Sequence, residues 1–262
     1  MKTINFLNRK GGVGKTVIAA NIAYEMARSD LVLILDLDSQ CDITEFFFNL
    51  NIPENIGPSA WNIRNVLQND CSIEDACIEV ADNLFLVPGS PDLDDFDFKY
   101  SQKALRDKLQ AEGLKEVDYV IIDNPPSINE AVRCGLVASD HVVIVTEAEN
   151  PAMTNLKKVN QQLEAIRQKL NPDLNTLGIV LNKIDQRRNL TQRNIEELKR
   201  QYQEALFDTW LSIDTSIPNS FDQRVPVREL RWRSRTVSQF QWLLQEMRLR
   251  MGEMEVKNES AQ

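Results

Sequence analysis

Short apolar runs recur along the chain, and longer stretches with a helical period separate them. The runs are INFLN (4–8), LVLILD (31–36), LFLVP (84–88), YVIIDN (119–124), HVVIVTE (141–147) and LGIVLNK (177–183). Several lack polar alternation, as expected of strands buried on both faces of a parallel sheet. Helix-like periodicity marks 15–28, 152–170 and 189–206, while 41–80 reads as irregular helices broken at NIPENIGPS. PDLDDFDF (91–98) reads as a solvated loop or helix start. This alternation predicts an α/β fold: a doubly wound, mostly parallel sheet with helices on both faces. A single domain is expected over 1–251, followed by a disordered tail over 252–262.

The closing helical stretch places Val237, Phe240, Leu244, Met247 and Met251 at spacings of three and four. That stripe suits either a membrane surface or a domain core. Its continuation into an acidic tail favours the core, because membrane-surface helices prefer basic flanks. No apolar run reaches membrane-spanning length, and Met1-Lys2 leads straight into a strand, so a cytoplasmic protein is expected.

A net charge of −9 argues against a surface that coats nucleic acid as a whole, but leaves room for a local patch. RVPVRELRWRSR (224–235) is such a patch, with five arginines (Arg224, Arg228, Arg231, Arg233 and Arg235) against one glutamate. Arginines at this density suit phosphate contacts, and a solvated, salt-bridged surface is the alternative. Lys157, Lys158, Arg187 and Arg188 are candidates to extend it. Cys41, Cys71, Cys77 and Cys134 form no CxxC pair and read as reduced thiols. The lone His141 opens an apolar run, where a structural role is expected.

The chemistry concentrates in LNRKGGVGKTV (7–17), which follows the first run and opens the first helix. Gly11, Gly12 and Gly14 let backbone N–H groups approach an anion closely. Lys15 is placed to reach the β- and γ-phosphates of a nucleotide, and the Thr16 hydroxyl to hold Mg2+. Arg9 stands where the usual phosphate loop has its first glycine, and Lys10 is a second, unexplained lysine. Asp36 and Asp38 end the second run and Asp123 the fourth. Carboxylates at the carboxyl edge of a parallel sheet face the crevice where ligands bind. Asp123 fits the role of holding Mg2+ through water.

Together these residues resemble the ParA/MinD ATPases, whose deviant phosphate loop K-G-G-x-x-K-[ST] appears here as Lys10-Gly11-Gly12-Val13-Gly14-Lys15-Thr16. DLDSQ resembles the family's D-x-D-P-Q switch, and DNPPS its D-x-P-P switch. The resemblance implies a P-loop NTPase of the deviant Walker A type that uses ATP and Mg2+ and hydrolyses ATP slowly. It assigns Lys10 to the partner's phosphates across an ATP-bound homodimer, with Lys15 and Asp38 completing the catalytic set. Asp38 positions the attacking water, and Asp36 joins Thr16 and Asp123 near the metal. The nucleotide-binding set runs from Lys10 to Val17, with Asn182 and Pro218 toward adenine.

Two departures stand out. Val17 replaces a hydroxyl residue that touches the α-phosphate in the family, at a cost of about 1 kcal/mol. The switch after Asp38 reads DSQCD, without the usual proline and glycine. Within the family, one branch binds DNA non-specifically on the nucleoid and moves plasmid, chromosome or other cargo. In that branch a ParB-like or cargo-adaptor partner stimulates hydrolysis. A MinD-like branch binds membrane and regulates division placement, and is the alternative here. A metal-carrier branch needs paired cysteines that this chain lacks. The arginine patch favours the DNA branch, with a membrane role disfavoured. No segment precedes the loop strand, where larger partition ATPases carry a sequence-specific DNA-binding domain, so operon repression is not expected.

Overall fold

The computed structural model describes residues 1–51, 61–98, 102–111, 114–126, 129–149 and 152–253. Seven strands form one sheet: β1 (Lys2–Leu7), β2 (Val32–Asp36), β3 (Ile78–Ala81), β4 (Leu84–Val87), β5 (Tyr119–Asp123), β6 (His141–Glu147) and β7 (Asn175–Asn182). Their order is β3-β4-β2-β5-β1-β6-β7, and every pairing is parallel except β3 with β4. The helices are α1 (Lys15–Met26), α2 (Asp42–Asn51), α3 (Ile63–Gln68), α4 (Ile73–Ala76), α5 (Ala104–Ala111) and α6 (Glu130–Val137). They continue with α7 (Ala152–Lys169), α8 (Asn189–Tyr202), α9 (Ser216–Gln223), α10 (Val227–Arg231) and α11 (Arg235–Arg250).

The unbroken apolar runs follow from burial on both sides. Ile4, Phe6, Ile34, Ile121 and Val143 pack against α1, α2 and α11 on one face. Their neighbours in sequence point the other way. Leu33, Leu35, Val120 and Ile122 meet α3, α5 and α6, while Leu7, Val142 and Ile144 meet α7 and α8. The stripe on the closing helix belongs to this interior: Val237, Phe240, Leu244 and Met247 are buried in the cluster that contains α1. Among the described residues no helix is long and apolar enough to cross a membrane.

Three sequence expectations need correction. Ile78–Ala81 is an antiparallel edge strand, not part of a helical region. It has four residues and returns into β4 through a turn with Asn83 left-handed at φ 58°, so its period was too short to read. The helical stretch 189–206 stops at Tyr202, because residues 205–207 attach beside β7. There the Ile179 N–H donates to the Ala205 carbonyl at 2.7 Å and the Phe207 N–H to the Ile179 carbonyl at 3.0 Å. The stretch expected to be disordered from 252 begins ordered, since Glu253 accepts from the Tyr119 hydroxyl at 2.6 Å and pairs with Lys2 at 2.7 Å. Residues 254–262, and 52–59 of the NIPENIGPS break, lie outside the described residues. Pro91–Asp95 forms a 3-10 turn capped by Ser90.

All parallel strands end at one edge. The register pairs Asp36 with Asp123 and Glu147 with Asn182, which brings the strand-end polar residues onto a common rim beside the loop that follows β1.

Candidate nucleotide-binding site

Gly14 terminates the loop as the N-cap of α1, at φ 89°. A side chain there is excluded twice: by the left-handed backbone, and because a Cβ would sit 2.4 Å from Asn182 Nδ2. Gly12, at φ 74°, faces open space. No side chain caps α1, so the N–H groups of its first turn, from Lys15 to Val17, remain available to an anion. Val17, the family's missing hydroxyl, is buried.

The loop is braced from below. Asn182 Nδ2 donates to the Val13 carbonyl at 2.7 Å while its Oδ1 accepts from the Lys183 N–H at 2.8 Å. Lys183 Nζ donates to the Gly12 carbonyl at 2.5 Å. The Asn8 side chain donates to the Val145 carbonyl and accepts from the Lys10 N–H at 2.7 Å. Asn182, expected against adenine, therefore has its amide committed to the loop itself. Asn182→Ala leaves the Val13 carbonyl without its partner, a change that typically costs about 1–3 kcal/mol. Titration with a fluorescent ATP analogue is expected to show about tenfold weaker binding.

Three carboxylates line the rim. Asp36 is fully buried and accepts from the Thr44 hydroxyl at 2.5 Å, the Thr44 N–H at 3.3 Å and the Asp38 N–H at 3.0 Å. Burial, reinforced by the charge of Asp123, pushes its carboxyl up to about 7. Asp38 is buried and accepts from the Gln40 N–H at 3.0 Å. Burial raises its carboxyl above the ordinary range, opposed by that hydrogen bond. Asp123 Oδ1 accepts from Lys15 Nζ at 2.5 Å, while Oδ2 is buried with no hydrogen-bond partner among the described residues.

That carboxylate, held by Lys15, the sequence neighbour of Thr16, suits the holding of Mg2+ through water. No group of three or more His, Cys, Asp or Glu forms a metal cage among the described residues. Mg2+ at phosphate sites does not need one, because it keeps several waters and takes oxygens from the phosphates.

Asp36 also gives a sign for pH dependence. The folded protein keeps its proton over a range where the unfolded chain has released it. Stability therefore falls as the pH rises from about 4 toward 7. Thermal melts without nucleotide are expected to show this decline, and Asp36→Asn to flatten it.

Lys10 is turned toward its own chain. Its Nζ lies 3.1 Å from Glu147 and 2.9 Å from Glu149, and these hydrogen bonds, Glu149's first, raise its pKa. Glu147 also pairs with Lys183 at 2.9 Å. Sequence reasoning passed over Glu147, Glu149 and Lys183, although HVVIVTE ends in a strand-terminal acid just as LILD and VIID do.

A cleft of about 530 Å³ runs from the loop to α9. Asp38 and Pro126 line its phosphate end, and Ile213, Ile217, Pro218 and Phe221 form an apolar wall at the other. Pro218 thus stands where a flat heterocycle has room against it.

The basic stretch divides in two. Arg224 pairs with Glu45 at 3.0 Å, and the Arg228 guanidinium forks onto Glu25 with both bonds at 2.6 Å. These two guanidiniums are committed within the chain. Arg231, Arg233 and Arg235 are exposed, and Arg233 stacks over Trp232 at 4.1 Å. Lys157 and Lys158 lie on α7, across the sheet from α11, and so do not extend the arginine patch. Arg187 is paired with Asp185 at 2.9 Å.

Comparison with known proteins agrees with this geometry. The profile described as AAA domain matches residues 1–176. The chain is 32% identical over 212 residues to the chromosome-partitioning ATPase Soj of Thermus thermophilus, covering 80% of each chain. It is 30% identical to the chromosome partitioning protein ParA of Myxococcus xanthus, covering 77% of this chain and 71% of that one. The structure of a putative plasmid partition protein from Borrelia burgdorferi bound to AMPPNP superposes with a TM-score of 0.81 at 23% identity, over 95% of this chain and 99% of that one. A loop with two lysines, strand-end carboxylates beside it and these similarities agree: the chain belongs to the ParA/Soj partition ATPases of the ParA/MinD family of P-loop ATPases.

Proposed function

We propose that the protein is an ATP-driven switch that closes into a sandwich dimer around two nucleotides and holds DNA without sequence preference. A partner protein, ParB-like or a cargo adaptor, triggers hydrolysis and release. The cycle partitions or positions a plasmid, chromosome or other cargo on the nucleoid. The observation that carries this reading is the pair of lysines on one glycine loop, with Asp38 and Asp123 beside it. One lysine suffices to hold a triphosphate, so Lys10 has a second task.

The Gly11–Val17 amides and Lys15 hold the phosphates, and the Lys15 ammonium exchanges Asp123 for phosphate oxygens. Thr16 and Asp123 would hold Mg2+, which would neutralise charge on the β- and γ-phosphates. Asp38 orients a water for attack on the γ-phosphorus. Lys10 leaves Glu147 and Glu149 and adds positive charge to the partner's triphosphate, where two polyanions face each other. Ile217, Pro218 and Phe221 seat the base. Arg231, Arg233 and Arg235, doubled in a dimer, contact DNA phosphates weakly and in a salt-sensitive way.

Fluorescence anisotropy with random-sequence duplex DNA tests this. Binding is expected with a non-hydrolysable ATP analogue and not with ADP, and it should weaken steeply with salt. The Arg231→Ala/Arg233→Ala/Arg235→Ala variant should lose it while still binding ATP. Equal binding by that variant moves the DNA site elsewhere, and no binding by the wild type in either state rejects the DNA reading.

A further inference from the structure

The segment that carries the exposed arginines is tied to the nucleotide site from two sides. One side is α1, the helix that opens at Lys15. The Val227 N–H donates to Asn21 Oδ1 at 2.9 Å, Arg228 forks onto the buried Glu25, and the Tyr24 hydroxyl donates to Glu229 at 2.7 Å. α1 is buried almost all round, so this side is a fixed mount.

The other side is α2, and its anchorage differs. Arg224 meets Glu45, and Phe221 stacks on Phe46 with ring centroids 6.0 Å apart and planes at 24°. Glu45 and Phe46 directly follow Thr44, whose hydroxyl and N–H both bond Asp36. Phe221 in turn lines the nucleotide cleft. The phosphate end of the site thus reaches this contact through Asp36 and Thr44, and the base end reaches it through α9. Beyond the contact, Arg224 turns the chain left-handed at φ 55° and leads through Pro226 into α10.

We infer that the α2–α9 contact, Glu45 with Arg224 and Phe46 with Phe221, is the relay that makes the Arg231–Arg235 surface respond to the nucleotide. Arg224 and Arg228 are then positioning residues rather than DNA contacts. A change of partner at Asp36 shifts the first turn of α2 and, with it, both contacts to α9. Because α10 is mounted on α1, a shift of α9 carried through the short connection 224–226 tilts α10 about that mount and reorients Arg231, Arg233 and Arg235. What those arginines hold rests on the DNA reading above; the relay itself does not.

Trp232 is a built-in reporter, 63% exposed and capped by Arg233. A parent protein with Trp61, Trp210 and Trp242 replaced by phenylalanine leaves it as the sole tryptophan. Its emission is expected to differ between the ADP and AMPPNP complexes. Glu45→Arg sets two cations against each other at an exposed site and should abolish most of that difference, with nucleotide affinity and melting temperature unchanged. Adding Arg224→Glu restores an ion pair in the opposite sense and should restore the difference. In parallel, the preference of DNA binding for AMPPNP over ADP should fall by about fivefold in Glu45→Arg and recover in the double variant.

A parent whose Trp232 emission ignores the nucleotide overturns the inference. So does a Glu45→Arg variant that responds as fully as the parent, or a double variant that stays silent. If Trp232 responds as expected but DNA binds in neither state, the relay stands and the DNA reading fails.

Discussion

Asp38→Ala is expected to lower ATP turnover by about a hundredfold or more, the usual scale for losing a positioned group that acts on the attacking nucleophile. Nucleotide affinity should change little, because in the proposed mechanism the loop amides and Lys15 do the holding, and among the described residues the Asp38 side chain accepts from the Gln40 N–H alone. Removing a partly desolvated carboxylate beside Asp36 and Asp123 also relieves like-charge repulsion, so the variant should be at least as stable as the wild type. Phosphate release at saturating Mg2+-ATP, alongside equilibrium titration of an ATP analogue, separates the two effects. Wild-type turnover in this variant removes Asp38 from the reaction. A parallel loss of binding and turnover assigns it to holding the nucleotide.

Lys10→Ala carries the second large effect. On its own chain Lys10 makes two half-exposed ion pairs, with Glu147 and Glu149, whose loss costs little. In the proposed dimer the same ammonium would face a partner's triphosphate in a water-poor interface, where one positioned charge is worth about 3 kcal/mol. The variant should therefore melt like the wild type and bind ATP as a monomer. Its nucleotide-dependent dimerisation, read by light scattering on a sizing column, should weaken about a hundredfold. Glu149→Gln should act in the opposite direction, because one of the two groups that retain Lys10 on its own chain is neutralised.

How much of this was legible in the sequence depends on how local each signal is. Runs such as YVIID and HVVIVT were readable because almost every position of a central strand is buried. Ile78–Ala81 was not, since an edge strand of four residues has no period to detect. The loop was readable because its glycines and lysines stand at fixed spacings along the chain, and Asp123 because it ends an unbroken apolar run. The partnership of Lys10 with Glu147 and Glu149 joins residues 137 and 139 positions apart, and only the order β1-β6 in the sheet brings them together. Arg228 illustrates the opposite failure. In a run of five arginines it looked like its neighbours, but a helix of five residues turns it inward onto Glu25. Charge counted along a chain does not say which charges remain free.

The most direct test of the central claim is to mix the two variants. In a sandwich dimer a subunit with Lys10→Ala keeps its own Asp38 and receives Lys10 from an Asp38→Ala partner. One complete site is thereby rebuilt in each mixed dimer. The account predicts that ATP turnover in an equimolar mixture rises well above that of either variant alone, with both proteins folded and nucleotide-competent. Turnover no greater than the average of the two variants would contradict it, and would leave Lys10 acting on its own chain or not at all.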